Sequence, residues 1–449
     1  MHLCDLSSGD VLASASVMNP QIRFGEDLMS RVSYVMMHPE GAQEMTNAIR
    51  VALNDLFKNV AKQVKAKVED ILEITLVANP IMHHLLLGIN PVELGGAPFA
   101  LTTDTAVEMP ARELDLQINH GGRIYILPCI AGHVGADTAG VILSEEPQQQ
   151  KAMTLLVDVG TNAEIVLGDK NRLLACSSPT GPAFEGAQIS AGQRAAAGAI
   201  ERVRIDPDTL VARFKVIGSD LWSDEPGFIE ETSKFGVTGI CGSGIIEVVA
   251  EMYLSGIVTV DGIIDGELAS RSPLVVADGR TWSYVLYQSD LTENQAPILV
   301  TQNDIRQIQL AKAALYAGVK LLMDKLDIDH VDRIRLAGAF GSHINVQHAM
   351  VLGLIPDCAL NQVSSAGNAA GTGARIALLN NQSRNTIEDL VTNIEKIETA
   401  MEPKFQQYFV DAMAFPNKTD PFPNLFSTID KPPEKLITES PGGRKRRRR

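Results

Sequence analysis

Apolar runs broken by polar turns divide this chain into short strands and longer helices. Leu155 to Val157 reads as a buried strand that Asp158 interrupts at its carboxyl end. Gly160-Thr161-Asn162 then turns the chain, and Ala163 to Leu167 returns as a second strand. The polar turn Asp169-Lys170-Asn171 leads to a third strand, Leu173 to Cys176. Upstream, helical patterns cover Phe24 to Met37 and Ala42 to Ala66, with Met45, Ile49, Leu53 and Leu56 close to helical spacing. An apolar strand, Ile71 to Ala78, follows, then Asn79-Pro80 and a short helix from Ile81 to Leu87. Ile124 to Leu127 is another strand, and Ala131-Gly-His-Val-Gly-Ala-Asp-Thr138 opens a helix through Leu143. Downstream, Thr238-Gly-Ile-Cys-Gly-Ser-Gly244 leads into a helix through Leu254, and Thr301 to Leu326 is a long helix. Its Ala311, Ala314 and Gly318 form a small-residue strip suited to close helix contact. A strand from Val331 to Ala337, Gly338-Ala-Phe-Gly-Ser342 and a helix near Val346 to Leu352 come next.

The pattern repeats itself. Residues 2–16 align without gaps on residues 164–178, both reading strand, polar turn, strand, with Val-Leu-Ala-Ser opposite Leu-Leu-Ala-Cys. Leu76-Val-Ala-Asn-Pro80 parallels the 331–342 stretch as strand, turn and helix. Gly132 to Leu143 parallels Gly367-Asn-Ala-Ala-Gly-Thr-Gly-Ala-Arg-Ile-Ala-Leu378. Three paired elements in one order predict a duplicated α/β fold. In the later copy a strand carrying Asp158 comes first; the earlier copy has no counterpart to it, as if the chain were an N-terminally shortened form of a longer one. The expected division is a first lobe over 1–150, a second over 151–414, and a Pro-rich, basic, disordered tail over 415–449.

The candidate chemistry centres on Asp158 and the Gly-Thr-Asn turn. Glycine lets the backbone approach a phosphate, successive N–H groups with a hydroxyl can cradle it, and the carboxylate can hold Mg²⁺ directly or through water. The same residues also suit an ordinary hairpin whose Asp caps the turn. Gly242 and Gly244, at a helix start, suit either an anion site or a tight packing turn. The loop Ser178 to Gly192, which contains Glu185, is too long and Gly-rich to be mere connection. His83 and His84 are neighbours on one helix and point to different faces, which does not suit a chelating pair.

A chain of 449 residues suits two domains of about 200 residues each plus a tail. A net charge of −15 argues against a general nucleic-acid-binding surface, leaving the basic run Arg444 to Arg449 as a solvated tail. No apolar run reaches membrane-spanning length. The five cysteines are scattered without a C-x-x-C pair, which fits a reducing cytoplasm and gives no spacing for a zinc or iron–sulfur site.

Two duplicated α/β halves with an Asp-x-Gly-Thr hairpin resemble the superfamily of acetate kinase, sugar kinases, chaperone ATPases and actin. More closely, the chain resembles the ATPase part of the reductive activators of corrinoid-dependent methyltransferases. The matching stretches are Asn19-Pro-Gln-Ile-Arg-Phe-Gly25, Met82-His-His-Leu-Leu-Leu-Gly88, Val134-Gly-Ala-Asp-Thr138, Gly181-Pro-Ala-Phe-Glu-Gly186, Gly239-Ile-Cys-Gly-Ser-Gly244, Gly338-Ala-Phe-Gly341 and Gly367-Asn-Ala-Ala370.

The resemblance implies ATP-driven reduction of a corrinoid protein from Co(II) to Co(I). Its partners would be that corrinoid protein, an electron-donor domain or protein and, as an open alternative, a second copy of the chain. By motif, Asp158, Gly160, Thr161 and Asn162 would face the phosphates and Mg²⁺, and Gly338, Gly341 and Ser342 the adenosine. Asp137 is a phosphate-side candidate, and Glu185 one that responds to nucleotide or partner. The iron–sulfur cluster of such activators would belong to a ferredoxin-like domain outside this sequence. Asn79-Pro80 departs from the Gly-Asn-Thr usual there, and proline removes one backbone donor. A small-molecule kinase and a non-catalytic corrinoid-protein partner remain the alternative functions.

Overall fold

A computed structural model of the chain describes residues 1–160, 162–288, 296–341 and 343–433. The first lobe opens with a hairpin, β1 (His2–Cys4) and β2 (Val11–Ser14). Helices α1 (Leu28–Met37) and α2 (Gly41–Gln63) follow. Asp27 starts α1 through a reciprocal capping box with Ser30. Next come β3 (Glu73–Leu76), α3 (Pro80–Leu87), β4 (Val107–Pro110), β5 (Arg123–Ile126) and α4 (Ala136–Glu145). Asn79 caps α3, its side chain accepting from the Met82 N–H at 3.0 Å. Pro80 therefore sits at the first helical position, where a missing N–H costs least.

The second lobe begins with β6 (Thr154–Val159), β7 (Ala163–Gly168) and β8 (Leu173–Ser178). An inserted layer follows: β9 (Ala199–Ile205), β10 (Ala212–Val216), α5 (Phe228–Thr232), β11 (Gly239–Ile240) and α6 (Gly242–Leu254), then the meander β12 (Val275–Asp278), β13 (Thr281–Tyr287) and β14 (Ile298–Thr301). The lobe closes with α7 (Gln302–Leu326), β15 (Arg333–Ala337), the single turn α8 (Gly338–Gly341), α9 (Val346–Leu352), β16 (Val363–Gly367), α10 (Ala369–Leu379), α11 (Asn381–Asn393), β17 (Glu395–Lys396), α12 (Phe405–Asp411) and α13 (Pro423–Phe426).

The strand orders expose the duplication. The large sheet runs β16-β15-β6-β7-β8-β17, with β15 parallel to both β16 and β6, and β7 antiparallel to β6 and β8. In the first lobe β3 and β5 pair in parallel, as β15 and β16 do, and the β1–β2 hairpin repeats β7–β8. Among the described residues no strand stands between β1 and β3, where a counterpart of β6 belongs. The paired helices α4 and α10 cross between the lobes through glycine: a Cβ on Gly373 would collide with the Gly140 carbonyl. Arg335 and Glu145 at 2.6 Å, Arg384 and Glu73 at 2.6 Å, and Tyr125 donating to Glu388 at 2.8 Å add polar ties across that seam.

Two expectations change here. The small-residue strip of α7 faces the sheet rather than another helix. A Cβ on Gly318 would meet Ile165 at 2.7 Å, and Ser178 donates its hydroxyl to the Ala314 carbonyl at 2.5 Å. Residues 415–433 are also folded rather than part of a disordered tail. Phe415, Phe422 and Leu425 are buried, because aromatic and aliphatic side chains between the prolines find the flank of α7. Lys312 holds this segment from inside the core, donating to the carbonyls of Ala414 and Pro416, and Tyr316 donates to Asp420 at 2.8 Å. The basic run 444–449 lies outside the described residues.

Candidate active site: a carboxylate cleft between the lobes

Asp158 lies one residue from the end of β6, in register with Ala337 of β15 and Glu164 of β7. The carboxyl end of a parallel sheet region is where α/β folds collect ligands. Gly338, directly after β15, has φ +84°, and a Cβ there would collide with Asp158 Oδ1. Glycine is therefore needed twice over, for the left-handed backbone and for the room beside the carboxylate. Gly341 packs its bare Cα against the Leu336 backbone and so keeps the α8 turn close to the strand. Gly160 donates its N–H to the Asn162 carbonyl at 3.0 Å and accepts from the Thr180 hydroxyl at 3.0 Å, which fixes the turn from beneath.

The first lobe supplies the opposite wall. Asp137 sits in the first turn of α4, its N–H donating to the Ala78 carbonyl at 3.2 Å and its carboxylate accepting from the Thr138 N–H at 2.8 Å. A Cβ on Gly135 would stand 2.7 Å from that same Ala78 carbonyl, so glycine lets the start of α4 close on the start of α3. Asn79, Pro80, Arg31, Asp137, Asp158, Gly160, Asn162 and Glu164 line one cleft drawn from both lobes. Asp158 and Gly338 share one end of the sheet, but Gly338 and Gly341 are not themselves among the residues lining the cleft.

Three carboxylates converge there. Confinement in the cleft, then the charge of Asp137, push the Asp158 carboxyl up to about 7. Confinement raises Asp137 to about 6 against the pull of the Thr138 N–H. Burial, then the charges of Asp137 and Asp158, hold the Glu164 carboxyl well above the usual carboxylate range. Such a cluster favours an arriving cation, which would lower all three. Among the described residues no three His, Cys, Asp or Glu side chains stand ready to chelate a metal by themselves. The donor set thus suits a Mg²⁺ that arrives with phosphate oxygens and keeps several waters.

Of the other expected residues, Thr161 and Ser342 lie outside the described residues. Glu185 is exposed in a short turn, and Gly242 and Gly244 begin α6; none of the three is among the residues lining the cleft. Gly244 is explained by packing, because a Cβ there would collide with the Ile200 carbonyl. Sequence reasoning missed Glu164 and Arg31. Pairing the hairpin from Asp158 onward would have placed Glu164 opposite it. Arg31 is 2% exposed, donates to the Gly25 carbonyl at 2.9 Å, and interrupts an otherwise apolar buried face formed with Val32 and Val35.

A duplicated two-lobed fold with a carboxylate cleft between the lobes defines an actin-like, ASKHA-type protein. Residues 152–426 match the family described as the C-terminal domain of RACo, the ASKHA domain, and residues 1–150 match the RACo middle region. The chain belongs to this family. It is 34% identical over 420 residues to the corrinoid activation enzyme RamQ of Eubacterium limosum, which takes in 92% of this chain and 68% of that protein. It is 26% identical over 284 residues to the [Co(II) methylated amine-specific corrinoid protein] reductase of Methanosarcina barkeri, 61% of this chain and 47% of that one. The solved reductive activator for corrinoid, iron–sulfur protein superposes with a TM-score of 0.78 at 32% identity, over 93% of this chain and 64% of that structure. The chain therefore spans between about half and two thirds of the length of these relatives. No helix among the described residues is long and apolar enough to cross a membrane.

Proposed function

We propose that this chain is the ATP-driven part of a reductive activator that returns the cobalt of a corrinoid protein from Co(II) to Co(I). The observation that carries the proposal is the cleft itself: a carboxylate at a strand end, beside a glycine it would otherwise strike, facing a second lobe of the same ancestry. Asp158 would hold Mg²⁺, and the turn at Gly160 and Asn162 would gather the phosphates. The nucleoside would lie along the backbone of Gly338 and Gly341, and Asp137 would orient water from the opposite wall. Bound Mg²⁺ supplies the positive charge that lets the three carboxylates stand together ionised. Arg31 and the start of α3 approach from the first lobe, so binding draws the lobes together.

Closure helps electron transfer only if the closed form prefers one cobalt state, because a ligand shifts an equilibrium by its differential affinity alone. Each tenfold preference of the complex for Co(I) raises the cobalt potential by about 59 mV for one electron. A hundredfold preference thus supplies roughly 120 mV. The test is to mix the chain with Mg·ATP, a corrinoid protein poised as Co(II), and a low-potential chemical reductant. ATP-dependent growth of the Co(I) absorbance supports the proposal. Hydrolysis stimulated by a small metabolite supports a kinase of the same fold, and complex formation indifferent to nucleotide supports a non-catalytic partner.

A further inference from the structure

Arg31, on the first-lobe wall of the carboxylate cleft, is a buried cation that the fold leaves half used. It belongs to α1, is 2% exposed, and lines the cleft with Asp137, Asp158 and Gly160. Glu26, Asp27 and Glu164 line it too, so carboxylates dominate, and Arg31 is the sole Lys or Arg on the described walls. Its guanidinium nonetheless makes no ion pair among the described residues. Nε donates to the Gly25 carbonyl at 2.9 Å, and Nη1 reaches the Gln21 side-chain oxygen at 3.5 Å. Asp27, whose charge acts on it, is occupied in starting α1, where it accepts from the Ser30 N–H at 2.7 Å.

A guanidinium carries five N–H donors in a rigid fork. Apart from the bonds to Gly25 and Gln21, the donors of Arg31 have no acceptor among the described residues. They are not sealed into the core either, because the buried side-chain atoms left without a partner belong to Thr75, His83, Thr138, Gln148 and His348. The free edge of the fork therefore opens onto the cleft that Arg31 lines. Its other edge is fixed. Gln21 is fully buried and donates its amide to the Met45 carbonyl at 3.1 Å. A Cβ on Gly25 would stand 2.7 Å from the Arg31 nitrogen, so glycine lets the preceding loop lie against α1. A buried charge held only by neutral acceptors is unfavourable, and an anion that supplies the missing partner relieves it.

Position says which anion. Asp158 and the Gly160 turn are cleft walls, whereas Gly338 and Gly341, along which the nucleoside would lie, are not. The cleft thus takes the phosphate end of the nucleotide, and Arg31 meets that end from the first lobe. We propose that Arg31 reads the terminal phosphate: its free edge pairs with oxygens that a triphosphate has and a diphosphate lacks, so the lobes close on ATP and not on ADP. Arginine suits this role because its fork matches two phosphate oxygens at once. The proposal rests on the nucleotide reading of the cleft and adds to it the group that tells the two nucleotides apart.

The test measures by calorimetry how tightly the full chain binds Mg·ADP and a non-hydrolysable Mg·ATP analogue. Wild type should prefer the triphosphate, and Arg31→Met should lower that preference by about tenfold to a hundredfold. Arg31→Lys, which keeps the charge and loses the fork, should fall between the two. A role confined to holding Gly25 and Gln21 would lower stability and leave the preference where it was. Amide exchange on the wild-type chain needs no variant: the analogue should slow residues 25–31, and Mg·ADP should not. An unchanged preference in Arg31→Met, or equal protection of residues 25–31 by both nucleotides, overturns the proposal while the nucleotide reading stands. Wild type that binds neither nucleotide overturns both.

Discussion

Replacing Asp158 by Asn should stabilise the fold while abolishing nucleotide binding. In the folded protein the cleft and Asp137 displace this carboxyl from 3.8 to about 7. At about 1.4 kcal/mol for each tenfold, keeping it ionised costs at most about 4 kcal/mol. The side chain retains some exposure and its neighbours can relax, so a gain of about 1–2 kcal/mol is the working expectation. The sign follows from proton uptake. Below the unfolded value of 3.8 both states are protonated and nothing is lost. Between 3.8 and about 7 the folded state keeps a proton that the unfolded chain has released, so stability falls as pH rises. Above that window the cost is constant. Thermal unfolding of wild type and Asp158→Asn at pH 5 and pH 8 reads this directly. At roughly 2–4 °C per kcal/mol for a lobe of this size, the variant should melt roughly 2–8 °C higher at pH 8, with less than half that gain at pH 5. Saturating Mg·ATP, which at a hundred times its dissociation constant stabilises a folded protein by about 2.7 kcal/mol, should no longer protect it. A variant less stable than wild type at pH 8, or a gain equal at both pH values, would refute the electrostatic reasoning.

Gly338→Ala should cost about 1–3 kcal/mol in urea unfolding, from its positive φ and the displaced Asp158, and should erase the Mg·ATP-dependent melting shift. Gly373→Ala tests the helix crossing. Alanine favours a helix over glycine by about 1 kcal/mol, yet here its methyl meets the Gly140 carbonyl at a cost near the upper end of about 1–3 kcal/mol, so a net loss of about 1–2 kcal/mol is expected in chemical denaturation. Glu145→Gln removes the charge that faces Arg335, whose side chain is 18% exposed, and should cost about 1–3 kcal/mol with little salt dependence. The half-exposed pair Arg123 and Glu108 should yield less than about 1 kcal/mol on the same test, and that loss should shrink in salt.

The duplicated framework was legible because its elements are long and periodic. Val346–Leu352 was expected as a helix and is one, and the long helix expected over Thr301 to Leu326 begins at Thr301 itself, whose side chain caps it. The likeness of the β1–β2 hairpin to β7–β8 was also readable, from a gapless repeat of residues 2–16 on residues 164–178. What escaped was set by tertiary contact. The small-residue strip of α7 could face a helix or a sheet, and only the fold chooses. The prolines after Phe415 masked aromatic residues that bury themselves on α7. The positions of Asp158 and Gly338 at strand ends were legible, whereas Arg31 carried no local signal apart from its polarity on an apolar face. Gly244 shows the converse, a phosphate-like motif whose glycine is accounted for by a backbone carbonyl pressed against it.

The central claim is that one nucleotide is gripped by both lobes at once, and amide exchange with and without Mg·ATP tests it most directly. The account predicts slowed exchange together at Ala78 to Met82 and Val134 to Thr138 on the first lobe, and at Asp158 to Asn162 and Leu336 to Gly341 on the second. Protection confined to one lobe, or spread over neither cleft wall, would contradict it.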